Sequence, residues 1–138
     1  MTQVKDKTDQ QLNRALAELM GYTVEWSKTQ ERWSLMIGRK IRATSSGTED
    51  LIWTYAPDYC TDPAASLEVQ AKAIEVDAKM YVWNLSIVKW KDAVEPEEID
   101  GWESINLEDI GDLLTASPRE RAEAAYITLS QVEEGSRK

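Results

Sequence analysis

Asp62-Pro63, followed by two interleaved apolar stripes, constrains this chain more than any other feature in it. Asp62 is a good N-cap, because its carboxylate can accept hydrogen bonds from the free N–H groups of a first helical turn. Pro63 suits the first helical position, where its missing N–H costs nothing. The predicted helix runs to about Lys79. Leu67, Ala71, Ile74 and Ala78 form one stripe, and Val69, Ala73, Val76 and Met80 form a second, about 200° round the helix. A helix apolar on opposite faces is expected to be covered on both, by a sheet on one and by a second helix or another subunit on the other.

The flanking elements follow from spacing. Thr8 or Asp9 can cap a first helix whose stripe is Leu12, Ala15, Leu16, Leu19 and Met20, and Gly21 is placed to end it. Tyr22–Trp26 has strand character. Residues 27–50 read as an excursion in which Trp33–Ile37 can form a strand and the run 39–42 can continue a hairpin. Leu51–Tyr55 is predicted to be extended, closed by Pro57. Residues 80–91 alternate as a strand, with Tyr81, Trp83, Leu85 and Ile87 on one face. A loop over 92–101 leads to a pairing strand, 102–107. Residues 108–114 read as a short helical turn or a ragged strand. Ser117-Pro118 opens a last helix with the stripe Ala122, Ala125, Tyr126, Leu129 and Val132. The expected fold is α+β: a small antiparallel sheet with helices packed on it in layers, like an α/β/α sandwich. It forms one domain, with a core at 8–26 and 51–132, the excursion at 27–50 and a polar tail at 133–138.

Composition narrows the function classes. The chain has no histidine, so neither a Ser-His-Asp nor a Cys-His machine can be built, and a zinc site of ordinary type is not expected. It has one cysteine, Cys60, which fits a reducing compartment. No apolar run is long enough for a membrane span and no signal peptide is visible, so a cytoplasmic protein is expected. There are 25 acids against 16 bases, a net charge of −9, which argues against stable nucleic-acid binding. The charge is uneven. The excursion carries Lys28, Arg32, Arg39, Lys40 and Arg42, whereas residues 92–112 hold nine acids and no base. Those acids lack the spacing of a calcium loop, and neither metal nor cofactor is expected. No P-loop or dinucleotide fingerprint is present.

Arg119 and Arg121 give the positive signal. Both follow Pro118 at a predicted helix start, where free N–H groups and the helix dipole already favour an anion. Cations normally sit at the other end. A bound phosphate or carboxylate would resolve the conflict, and so would pairing with Glu120, Glu123 or the acidic loop. The six tryptophans include Trp83, Trp90 and Trp102, which can stack on a base, so arginine plus aromatic reads as a nucleotide pocket.

Met20-Gly21-Tyr22 after a short amphipathic helix, Asp58-Tyr59-Cys60-Thr61-Asp62-Pro63-Ala64-Ala65 before the middle helix, and Pro118 before Ala122-Glu123-Ala124-Ala125-Tyr126 resemble the phage ABA-sandwich domain family. The resemblance covers residues 9–26 and 52–131 and leaves out the excursion. It implies a protein similar to the phage sponges that defeat Thoeris defence. Such a protein would be an oligomer that binds a cyclic nucleotide or cyclic ADP-ribose signal and holds it without cleaving it. By that likeness Arg119 would hold a phosphate. Four residues on, where a second arginine would be wanted, stands Glu123, so Arg121 or the excursion's Arg39 and Arg42 would have to substitute. A second reading is an acidic inhibitor that binds a host protein, with a DNA mimic as one form of it. A third, a metal-dependent enzyme using carboxylates, has no spacing that demands it.

Overall fold

The computed structural model describes residues 4–90 and 107–136. After a 3-10 turn at Val4–Asp6, the elements are α1 (Asp9–Leu19), β1 (Tyr22–Ser27), β2 (Arg32–Ile37), β3 (Lys40–Ser45), α2 (Glu49–Trp53), α3 (Pro63–Trp90), α4 (Leu107–Leu114) and α5 (Pro118–Ser136). The fold is α+β, with helices around a three-stranded antiparallel sheet of order β1-β2-β3.

Local chemistry sets several boundaries. Thr8 and Gln11 make a reciprocal capping box at the start of α1. Gly21 follows its C-terminal end with φ +101, a conformation that suits glycine. Ser117 and Glu120 form a second box at α5: Oγ of Ser117 accepts from the Glu120 N–H, and the Glu120 carboxylate accepts from the Ser117 N–H.

The sheet comes from the excursion. β1 and β2 pair Tyr22 with Ile37, Val24 with Leu35 and Trp26 with Trp33, and β3 sets Ala43 beside Leu35. Leu35 is fully buried, and α1 and α2 supply the helical contacts to the sheet. The basic residues Lys28, Arg32, Arg39, Lys40 and Arg42 are exposed on it.

Two predicted strands are helices. Residues 51–55 were expected to be extended. Instead Thr48 caps α2, its Oγ1 accepting from the Leu51 N–H, and Glu49 and Asp50 fill the first turn, where the helix dipole favours acids. Residues 80–90 continue α3. The backbone leaves helical geometry at Asp77 (φ −160, ψ 91), whose carboxylate accepts from the Met80 N–H and caps a second helical segment. The alternating pattern there also contains a helical stripe, Tyr81, Asn84, Leu85 and Val88. The helical stripe wins because Asn84 is buried and donates to Thr128 (3.0 Å) and Gln131 (3.4 Å) on α5. The predicted hairpin over 80–107 is therefore absent from its first arm. Its second arm, and the loop 92–101, lie outside the described residues.

α3 meets α5, and this is the most extensive packing in the molecule. Ala122, Ala124 and Ala125 are fully buried, their small side chains letting helices approach closely, and Leu12, Leu16 and Ala17 of α1 join the same core. Of the two stripes on α3, Val69 and Ala73 are buried, but Leu67 and Ile74 face solvent. The expectation of a sheet against one face of this helix is thus corrected: the sheet packs on α1 and α2.

Candidate functional site

Arg119 is held by the chain on every side. Its guanidinium donates to the Asp9 carboxylate (2.8 Å) and to the backbone carbonyls of Lys7 (2.8 Å) and Val4 (3.2 Å), and it lies 3.7 Å from the Glu123 carboxylate. The side chain is 25% exposed. It ties the first turn of α5 to the start of α1 and the 3-10 turn before it. The buried Cys60 thiol lies 3.9 Å from this guanidinium. Burial pushes the thiol up to about 12, against the opposing pull of Arg119, so it is protonated at neutral pH. Arg121 donates to the Ser66 hydroxyl (3.2 Å) on α3.

The other candidates lie elsewhere. Trp83 lines a cavity of about 430 Å³ with Asp77, Lys79 and Met80, beside the break in α3. Trp90 ends α3 and is half-buried. Trp102 lies outside the described residues. Arg39 is exposed at the β2–β3 turn. Arg42 donates to the Tyr55 carbonyl (3.1 Å), and its guanidinium lies 5.9 Å from the centre of the Tyr22 ring. Arg119 and Arg121 thus share the start of α5, whereas Trp83 and Trp90 belong to the end of α3 and Arg39 and Arg42 to the hairpin.

A cleft of about 640 Å³ is built from other residues. α1 contributes Arg14, Glu18 and Leu19, β1 contributes Tyr22 and Val24, α2 contributes Glu49 and Trp53, and α5 contributes Tyr126 and Ser130. Arg14 lies across Trp53, 5.0 Å from the ring centre. It donates to Glu18 (3.2 Å) and Asp50 (3.2 Å) and lies 3.8 Å from the Glu49 carboxylate. Lys7 stands 5.4 Å from the centre of the Tyr126 ring. Of the cations within cation–π range of these rings, Arg14 on Trp53 lines the cleft, whereas Lys7 beside Tyr126 and Arg42 beside Tyr22 stand outside its lining. None of the described site candidates singled out from sequence lines the cleft, and Arg42 meets it only through the Tyr22 ring. Arg14 reads in sequence as an ordinary charge opposite the α1 stripe, and its i,i+4 partner Glu18 is the one local hint.

A smaller pocket, about 300 Å³, lies on Trp53 as well, lined by Asp9, Gln10, Asn13, Asp58 and Thr61 among others. Asp58 accepts from the Thr61 hydroxyl and N–H and from the Asn13 amide, and the Thr61 hydroxyl above all holds its carboxyl below the usual value. Among the described residues no three His, Cys, Asp or Glu side chains are grouped to hold a metal ion. No helix among them is long and apolar enough to cross a membrane.

Comparison with family models, with curated proteins and with solved structures found no match for this chain.

Proposed function

We propose that this protein binds a small phosphorylated ring ligand in the Arg14–Trp53 cleft and sequesters it without cleaving it. Its biological setting would be that of a phage or prophage anti-defence sponge in the cytoplasm of an infected bacterium. The ligand would be an immune signal of the cyclic nucleotide or cyclic ADP-ribose type. One observation carries this reading: Tyr22, Trp53 and Tyr126 line one cleft of ligand size, and Arg14 lies on the Trp53 ring within it. Flat rings provide stacking surfaces, and the Arg14 cation beside them answers phosphate charge. The carboxylates now holding Arg14 are 54%, 47% and 86% exposed for Glu18, Glu49 and Asp50. Exposed pairs of this kind contribute about 0–1 kcal/mol each, so a phosphate can displace them at small cost. The reading includes an oligomer, for which the exposed Leu67 and Ile74 on α3 supply an apolar face.

The test is thermal melting of the protein against a panel of cyclic dinucleotides, cyclic trinucleotides and cyclic ADP-ribose isomers, with heat-released ligand identified by chromatography. One ligand that raises the melting temperature and is recovered intact supports a sponge, since a ligand that prefers the native state stabilises it by mass action. No shift at concentrations far above micromolar would sink the reading for those ligands.

A second reading rests on α4. Leu107 and Leu114 are 85% and 75% exposed, Ile110 shares their face, and Glu108 and Asp112 flank it. An acidic helix with an open apolar face suits docking onto a basic host protein, as an inhibitor would. It predicts a salt-sensitive protein complex that Leu107→Glu with Leu114→Glu abolishes.

A further inference from the structure

The first segment of α3, up to the break at Asp77, exposes an apolar stripe. Ala64, Leu67, Ala71 and Ile74 fall at intervals of three and four residues, within an arc of about 80°. All four are exposed, Leu67 at 46% and Ile74 at 42%. Ala65, Ser66, Val69 and Ala73, round the other side of the helix, are buried. Small and large side chains alternate along the exposed stripe. Beside it runs a row that alternates in sign: Glu68, Lys72 and Glu75. Lys72 lies 4.0 Å from Glu75 of its own helix, an exposed pair that holds weakly.

Both rows complement themselves in one arrangement. Against an identical helix running the opposite way, Leu67 meets the partner's Ala71 and Ile74 meets the partner's Ala64, and each contact occurs twice. Every large side chain then faces a small one, which lets the helix axes approach to about 8 Å. In the same register Glu68 reaches the partner's Lys72. Glu75 comes beside the start of the partner's α3, where the helix dipole favours an acid. A parallel pair would instead set each residue against its own copy, Leu67 on Leu67 and Glu68 on Glu68.

We propose that a second copy of this chain covers the stripe, the first segments of the two α3 helices packing antiparallel about a two-fold axis. Such an interface is isologous, the same patch serving on both copies. The inference gives an interface to the oligomer of the proposed function, but it rests on this face alone and needs neither the cleft nor its ligand. The segment is about 20 Å long. One helix pair of that length buries less than the roughly 1,600 Å² of a standard interface, so the dimer is weak and depends on the few contacts named. The unlike charges beside the stripe fix its direction and register.

The experiment is sedimentation equilibrium of the full chain, from micromolar to millimolar concentration and without ligand. It compares wild type with Leu67→Glu, with Glu68→Lys, and with the swap that joins Glu68→Lys to Lys72→Glu. Melting of each variant checks its fold. The expected result is a concentration-dependent dimer in wild type, a monomer in Leu67→Glu, about tenfold weaker pairing in Glu68→Lys, and recovery in the swap. Direction is read by oxidation: Leu67→Cys mixed with Ala71→Cys forms a disulfide-linked dimer faster than either variant alone, the native Cys60 being buried. A wild type that stays monomeric at millimolar concentration overturns the inference and leaves the cleft reading to its own test. A dimer that Leu67→Glu leaves intact lies on another face and overturns it too. A swap that pairs no better than Glu68→Lys, or a cysteine variant that links as fast alone as in the mixture, overturns the antiparallel arrangement.

Discussion

Arg119 and Arg14 are the same residue in two settings, and the difference lies in what holds them. Arg119 is three-quarters buried and bonded to two backbone carbonyls and a carboxylate, and the elements it joins are 110 residues apart in sequence. Its partners cannot leave without moving the chain. Arg14 is 39% exposed, lies over an aromatic ring, and is held only by carboxylates that water can reach. Its partners can leave at little cost. An arginine at a helix start reads from sequence as the better anion-binder, but in the fold its positive charge is answered by Asp9, Glu123 and the carbonyls. The arginine with nothing unusual in its sequence surroundings is the one that folding sets in a cleft.

The sharpest way to break this contrast is Arg119→Ala. Removing a charged donor set that is mostly buried takes the hydrogen bonds from the Val4 and Lys7 carbonyls and the charge from beside Asp9, at a cost of about 2–4 kcal/mol, readable as a lower urea midpoint. Cys60 reports the same event. In wild type its buried, protonated thiol should react slowly with iodoacetamide at neutral pH, and the variant should label faster because the start of α1 loosens. An unchanged midpoint and labelling rate would mean that Arg119 is not a clamp.

Next in size is Asn84→Ala, which removes the buried amide bridging α3 to α5 and should cost about 1–2 kcal/mol. A neutral result would mean that the Asn84 amide does not hold α3 to α5.

Arg14→Ala should cost about 0.5–1 kcal/mol or less in stability, yet weaken ligand binding by tenfold or more. A stability loss as large as that of Arg119→Ala would erase the distinction between the two arginines.

The smallest effect is on acid stability. The Asp58 carboxyl lies below its ordinary value of 3.8 in the folded protein, chiefly through the Thr61 hydroxyl. A lowered carboxylate stabilises the fold above the unfolded value, and that increment is lost as pH falls through the folded value. Asp58→Asn should therefore be slightly less stable at neutral pH and show a flatter decline below about pH 4. A parallel decline in both proteins would mean that the Asp58–Thr61 pair forms equally in the unfolded chain.

Helix starts were the legible part of the sequence. Thr8, Asp62-Pro63 and Ser117-Pro118 open helices where predicted, and Gly21 follows the end of one, because caps are decided within four residues. Met80–Trp90 was misread because a period of two and a helical stripe coexist in it, and the choice rests on Thr128 and Gln131, far along the chain. Leu51–Tyr55 reads as extended for another reason: the cap signal, Thr48-Glu49-Asp50, lies within the excursion and not beside the apolar run. The cleft is not legible in the sequence: none of the described candidates lines it. Arg14, Tyr22, Trp53 and Tyr126 come from four elements, and no spacing along the chain links them.

The most direct test of the cleft is a side-by-side titration of wild type, Arg14→Ala and Arg121→Ala with the ligand that raises the melting temperature. Arg121 shares the first turn of α5 with Arg119, but its guanidinium donates to the Ser66 hydroxyl rather than to backbone carbonyls of a distant element, so it tests that helix start with less risk to the fold. The result expected is wild-type affinity in Arg121→Ala and at least tenfold weaker binding in Arg14→Ala. Intact binding by Arg14→Ala with loss in Arg121→Ala would place the ligand at the start of α5 and contradict the assignment of the cleft.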